Sequence, residues 1–234
     1  MAEIKHAAPV ANEHHVRRPG AEQFWTKYSK PLTIGFTVII LAVAGFFIYR
    51  SMVTVPNARK AEESVFKAEE YYRMDSLDKA LNGDGVNQGL LRIISRYGGS
   101  EAGNRARMMA GSIYLRKGDY KNAIKHLEEF KTDVKQIKAR NSALLADAYA
   151  EMGAATNNNG NKEKAAGLYE EAAGLFEKDD LNAPEYLFRA GYLYESMGKT
   201  QEAIEAYKKI KAKYPRSERG FEIDKYLARL GVVE

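Results

Sequence analysis

The chain has 234 residues, no cysteine, and 36 Lys and Arg against 31 Asp and Glu, a formal net charge of +5. The lack of cysteine excludes a disulfide framework, a thiolate metal site, a thiol nucleophile and a lipidated cysteine. The positive charge suggests nucleic acid or an anionic membrane, but residues 51–234 carry 30 Lys and Arg against 28 Asp and Glu, interspersed as on exposed helix faces, which argues against nucleic acid.

Residues 1–23 show no hydrophobic periodicity and contain Pro9, Pro19 and Gly20; they are expected to form a disordered tail. His6, His14 and His15 lie here. Histidines on a floppy tail do not converge on a metal, so they are read as solvated.

A membrane anchor is expected over 24–50. Its span, Leu32 to Tyr49, is an 18-residue stretch without charge, Asn, Gln or His. As a helix it covers roughly 27 Å, near the hydrocarbon thickness of a bilayer. Ser29 and Pro31 suit its start. Trp25, Lys27, Tyr28 and Lys30 before it, and Tyr49 and Arg50 at its end, are the expected interface anchors. No small-residue cleavage site follows, so an uncleaved signal anchor is expected rather than a signal peptide. Flanking charge does not orient it: Arg17, Arg18, Lys27 and Lys30 on one side balance Arg50, Arg59, Lys60 and Lys67 on the other.

Beyond Pro56 apolar residues recur at helical spacing. Three windows align. The first runs Gly111…Tyr114…Gly118…Ala123…Leu127, the second Ala146…Tyr149…Gly153…Ala165…Tyr169, the third Gly191…Tyr194…Gly198…Ala203…Tyr207 and closes at Pro215. These residues resemble the tetratricopeptide repeat. In each unit a small residue lets the first helix approach its neighbour, a Tyr fills the adjacent gap, and a Gly ends the helix in the left-handed conformation. A small residue on the second helix then closes the pair. Arg107 and Leu187 stand where the motif usually has Trp, and only the last unit has the closing Pro.

The middle unit carries seven extra residues near 154–161, rich in Asn, read as a mobile loop. A degenerate first unit is expected over 56–103, because Gln88 to Gly103 matches Glu205 to Gly220. Its first helix is expected at about Ala58 to Met74, with an irregular turn from Asp75 to Gly85. The three repeats occupy 104–215, with Asn182 to Glu185 another helix start. Residues 216–234 form a capping helix with Ser217 as N-cap. The expected fold is all-α: a single N-terminal transmembrane helix followed by a right-handed tetratricopeptide-repeat solenoid.

Mapping the usual inward positions gives a candidate partner groove of Arg105, Met108, Ser112, Arg116, Arg140, Asp147, Glu151, Phe188, Tyr192 and Glu195. The bland alternative is an ordinary solvated face. His126, among lysines, is expected to be exposed. No phosphate loop, zinc-protease motif or nucleophile elbow is present. Paired acids such as Glu128-Glu129 point in different directions on a helix. No catalysis, cofactor, metal or small-molecule substrate is expected.

A short tail, Phe-Trp-x-Lys-x-x-Lys over Phe24 to Lys30, one apolar helix, the run Ala61 to Tyr72 and an atypical repeat domain together resemble the ancillary SecYEG translocon subunit family (YfgM-like) of bacterial inner membranes. That resemblance implies a cytoplasmic N-terminus and periplasmic repeats. It also implies association with translocon subunits and a membrane-anchored periplasmic chaperone, and handling of newly translocated client polypeptides. Two other readings share the architecture: a cell-envelope assembly or division scaffold, and a cytosol-facing receptor for chaperone tails. The receptor would want Lys and Asn at inward positions, where Arg105, Ser112, Arg116, Arg140 and Asp147 stand.

Overall fold

The computed structural model describes residues 19–232, in which the only strand-like pairing is an isolated bridge between Gly83 and Gln88. The chain divides into two units, Met1–Val55 and Pro56–Glu234.

The first unit holds α1 (Pro19–Tyr49) and a five-residue π-helical stretch, Arg50–Thr54. The helix starts ten residues or more before the expected Ser29–Pro31 boundary, and Pro31 lies inside it. Residues 19–23, assigned to the tail from sequence, are therefore helical; His6, His14 and His15 lie outside the described residues. The interior proline removes one backbone donor. Near it Thr33 Oγ1 donates to the carbonyls of Ser29 at 2.6 Å and Lys30 at 3.0 Å, and Thr37 Oγ1 donates to Thr33 O at 2.8 Å. Both hydroxyls are thus spent on the helix's own backbone, which suits an apolar surrounding. Among the described residues one helix is long and apolar enough to cross a membrane; its apolar window has a mean hydropathy of 2.4 and none of it is buried.

The second unit is a succession of helical hairpins. The elements are α2 (Val55–Arg73), α3 (Leu77–Asn82), α4 (Leu90–Tyr97), α5 (Glu101–Arg116), α6 (Tyr120–Glu129), α7 (Lys135–Ala155), α8 (Asn159–Leu175), α9 (Asn182–Ser196), α10 (Thr200–Lys213) and α11 (Glu218–Arg229). From α3 onward each packs mainly on its sequence neighbours, and the core is a series of adjoining clusters rather than one centre. The seams are lined by small residues: Ala123, Ala146, Ala165 and Ala203 are fully buried. At Gly111 and Gly191 the approach is closer still. A Cβ there would stand 2.6 Å from Leu127 Cγ and 2.4 Å from Tyr207 Cε1.

Ser100 and Ser217 cap α5 and α11 identically. Each hydroxyl accepts from the amide three residues on, Gly103 at 3.1 Å and Gly220 at 3.0 Å, and donates back to Tyr97 O or Tyr214 O. The similarity between Gln88–Gly103 and Glu205–Gly220 is therefore one repeated capping device.

Two local readings are corrected. The turn expected over 75–85 contains α3, whose Ala80 and Leu81 are buried in the first cluster. The Asn-rich insertion is not a loop: it lengthens α7 and α8 and leaves only Thr156–Asn158 between them. Gly118 and Gly198 take left-handed φ of 76° and 74°, but Gly153 stays inside α7. Asn157, at φ 50°, makes the reversal in its place, and Asn158 Oδ1 caps α8 by accepting from Asn161 N at 3.2 Å. Asn tolerates the left-handed region and is a strong N-cap, so the pair can replace a glycine turn.

Candidate functional site

Two cavities lie along the first helices of the hairpins, α5, α7 and α9. The larger, about 470 Å³, is bounded by α2, α5, α7 and the α6–α7 connection. It contains Arg105, Met108, Ser112 and Arg140 of the candidate residues. The smaller, about 260 Å³, lies between α7, α8 and α9 and contains Asp147, Glu151, Phe188 and Tyr192. Arg116 and Glu195 line neither cavity. Arg116 pairs with Asp75 at 2.6 Å, and Glu195 pairs with Arg229 of α11 at 2.6 Å.

The walls of the large cavity are built by side chains from distant sequence. Asn104 of α5 exchanges two hydrogen bonds with the backbone of Lys131, donating from Nδ2 to its carbonyl and accepting from its amide at 3.1 Å. This amide clamp fixes the α6–α7 connection and sets Phe130 in the wall. Opposite, Arg105 holds Glu62 through two bonds, 3.1 and 2.7 Å, and reaches Glu69 at 3.6 Å. The hydrogen bond from Arg105 lowers the Glu62 pKa below the usual carboxylate value. The hydroxyls of Ser112 and Tyr72 lie 3.1 Å apart. Lys131 and Arg140 enter no ion pair among the described residues. The floor is apolar, with Met108, Met109, Ile137 and Leu144.

In the smaller cavity the one lining cation is paired, while Glu151 stays exposed outside any ion pair among the described residues. Arg189 on α9 pairs with Asp147 of α7 at 2.8 Å and Glu185 at 2.9 Å; Glu185 takes Arg219 of α11 at 2.6 Å. Tyr169 OH donates to Asp147, and the Arg219 guanidinium lies 3.9 Å from the Phe188 ring centroid. Burial would raise the Glu185 pKa, but Arg219 and Arg189 overcome it and hold it below the usual value. Burial, then the Asp147 charge, pushes the Tyr169 hydroxyl well up. Four charged groups thus tie α7, α9 and α11 together.

Sequence reasoning missed Asn104, Phe130, Glu185, Arg189 and Arg219. The Glu185–Arg189 spacing of four is a visible intrahelical signal; the other partners lie one or two helices away. His126 is a correction. It is 8% exposed, stacked parallel on Tyr114 with centroids 5.6 Å apart. Burial lowers its pKa. It faces the α5–α6 seam because position 126 adjoins Leu127 on the buried side of α6.

At the ends of the apolar span, Trp25, Lys27, Tyr28, Lys30, Tyr49 and Arg50 are all exposed, and Lys27 Nζ lies 5.4 Å from the Tyr28 ring centroid. Among the described residues no three His, Cys, Asp or Glu are grouped to hold a metal ion.

No curated protein matches the chain at a significant level. The family model of the tetratricopeptide repeat-like domain matches residues 22–225, and such stacked hairpins are protein-interaction modules that present an extended face to their partners. No catalytic family is indicated. By that match and by its chain of small-residue hairpin seams, the chain belongs to the tetratricopeptide repeat-like domain family.

Proposed function

We propose that the chain is a non-enzymatic, membrane-anchored scaffold that binds proteins at the bacterial inner membrane. Leu32 to Tyr49 spans the bilayer, with Trp25, Lys27, Tyr28 and Lys30 at one interface and Tyr49 and Arg50 at the other. The N-terminus is cytoplasmic and the repeats are periplasmic. The scaffold serves the Sec translocon and a membrane-anchored periplasmic chaperone, handling newly translocated polypeptides. The observation that carries the anchored-scaffold reading is the pairing, on one chain, of an unburied apolar helix with a repeat-like interaction domain. The translocon role rests on the resemblance of layout and juxtamembrane residues. The partner surface is the row of first helices, through Arg105, Met108, Ser112, Arg140, Asp147, Glu151, Phe188 and Tyr192; Arg116 and Glu195 serve its frame.

A reporter fused after Glu234 tests the orientation: periplasmic activity is expected, and activity confined to the cytoplasm overturns it. Photocrosslinking amino acids at Met108 and at Tyr192, in native membranes, test the partners. Mass spectrometry is expected to recover translocon subunits and an anchored periplasmic chaperone. Recovery of division or outer-membrane assembly proteins alone would overturn the translocon role.

A further inference from the structure

The two cavities differ in what they leave unsatisfied. In the smaller one the cations are engaged: Arg189 pairs with Asp147 and Glu185, Arg219 of α11 pairs with Glu185 from outside the lining, and the charge left over is an acid, Glu151. In the larger one the charges are divided by wall. On the α2 side Glu62 and Glu69 are engaged by Arg105, and Glu101 stands exposed at the start of α5. On the α7 side Lys131 and Arg140 line the cavity, and Lys135 and Lys138 stand exposed on the same two turns. None of these four enters an ion pair among the described residues. Asp133 is the one acid among them.

The start of α7 adds to this positive ledge. Val134, its N-cap residue, offers no side-chain cap, and the first turn holds no acid. A 21-residue helix thus ends in uncapped N–H groups beside four cations. Apolar side chains accompany them: Val134 and Ile137 are 49% and 41% exposed and face the same cavity as Met108 and Phe130.

We propose that the larger cavity receives an amphipathic helix of a partner protein, one that carries acidic residues beside a large apolar side chain. The apolar side chain enters between Met108, Phe130 and Ile137, and the acids lie against Lys131 and Arg140. This rests on the reading of the first-helix row as the partner surface. The shape argues for a helix. Met108 and Ser112 on α5, Ile137 and Leu144 on α7 and Val134 at its N-cap line the cavity at helical spacings, and a trough between two helices is the complement of a third. A flat anionic bilayer fits poorly, because the far wall presents Glu69 and Glu101, with Glu62 beyond them on Arg105.

The test uses the full chain in detergent micelles and two fluorescent model peptides. One is an amphipathic helix with Leu and Phe on one face and Glu flanking it. The other is its twin with Lys in place of every Glu. Anisotropy is expected to show the acidic peptide binding at least tenfold more tightly than the twin, weakening as salt rises. Lys131→Glu with Arg140→Glu is expected to cost tenfold or more while circular dichroism melting is unchanged. Met108→Glu is expected to abolish binding of the acidic peptide. Equal binding of the twin, or indifference to the charge reversal, overturns the proposal. So does self-association of the chain that is lost with Phe221→Ala, since α11 exposes Phe221 beside Glu218 and Glu222 and would then be the occupant as a second copy. Crosslinking from Met108 and Tyr192 separates the two levels. Specific capture with no charge preference sinks only the acidic-helix inference; no capture from either position sinks the partner-surface reading itself.

Discussion

His126 lies parallel against Tyr114, with Glu129, Lys125 and Arg107 as the charges that act on it. Burial is the largest influence and lowers its pKa from the ordinary 6.5. As pH falls, the unfolded chain therefore binds this proton first. The stability that the neutral ring contributes is present above about 6.5 and is lost as pH falls below it. The depressed carboxyls, Glu62, Glu185 and Asp179, lose their contributions only in the carboxylate range below that. Urea unfolding of the full chain in detergent, at pH 7.5 and 5.5, should show a larger drop in midpoint for the wild type than for His126→Phe, which keeps the stack and cannot titrate. Equal drops would contradict the account.

At the scale of the element, the seams between helices decide which glycines are needed. Gly191 sits where α9 meets Tyr207, and any Cβ there would stand 2.4 Å from that ring. Gly167, inside α8, has nothing within 4 Å of the same position. Alanine ordinarily improves a helix over glycine by about 0.5–1 kcal/mol. Gly167→Ala should therefore stabilise the chain by about that amount. Gly191→Ala should instead destabilise it by about 1–3 kcal/mol, the usual cost of overpacking. Chemical denaturation of both variants checks the opposite signs. The same geometry explains why Leu127 and Tyr207 can be large: each fills the space that a glycine on the facing helix leaves open.

At the scale of the whole molecule, the repeat unit is a row of neighbour-to-neighbour interfaces, and its stability should be local. Ile223 of α11 is fully buried in the last cluster, with Leu187, Tyr207, Ile210 and Leu227. Ile223→Ala should cost about 2–5 kcal/mol there. Hydrogen exchange read by mass spectrometry should show lost protection in α9, α10 and α11, with α2 and α5 nearly unchanged. A uniform loss along the unit would mean that the row unfolds as one block. The ion-pair chain from Asp147 through Arg189 and Glu185 to Arg219 reaches back only as far as α7, so α7 marks the expected limit of the effect.

The apolar run from Leu32 to Tyr49, the repeated small-Tyr-Gly spacing and the Ser217 cap were all legible in the sequence. Each is a pattern within one continuous stretch of chain, where spacing along the chain and position in space are nearly the same thing. The exchange of Asn157 for a glycine at the α7–α8 turn is equally local, but the Asn-rich sequence points to a loop, because Asn marks both loops and helix caps. Only the tertiary structure placed the clamp between Asn104 and Lys131, the pairing of Arg105 with Glu62, and the bridge from Arg189 to Asp147, whose partners are 27, 43 and 42 residues apart. It also buried His126 and divided the candidate groove into a cavity whose cation is paired and one with unpaired cations. Those outcomes depend on which side chains meet when helices from different hairpins pack, and the helical period of any one segment does not specify that.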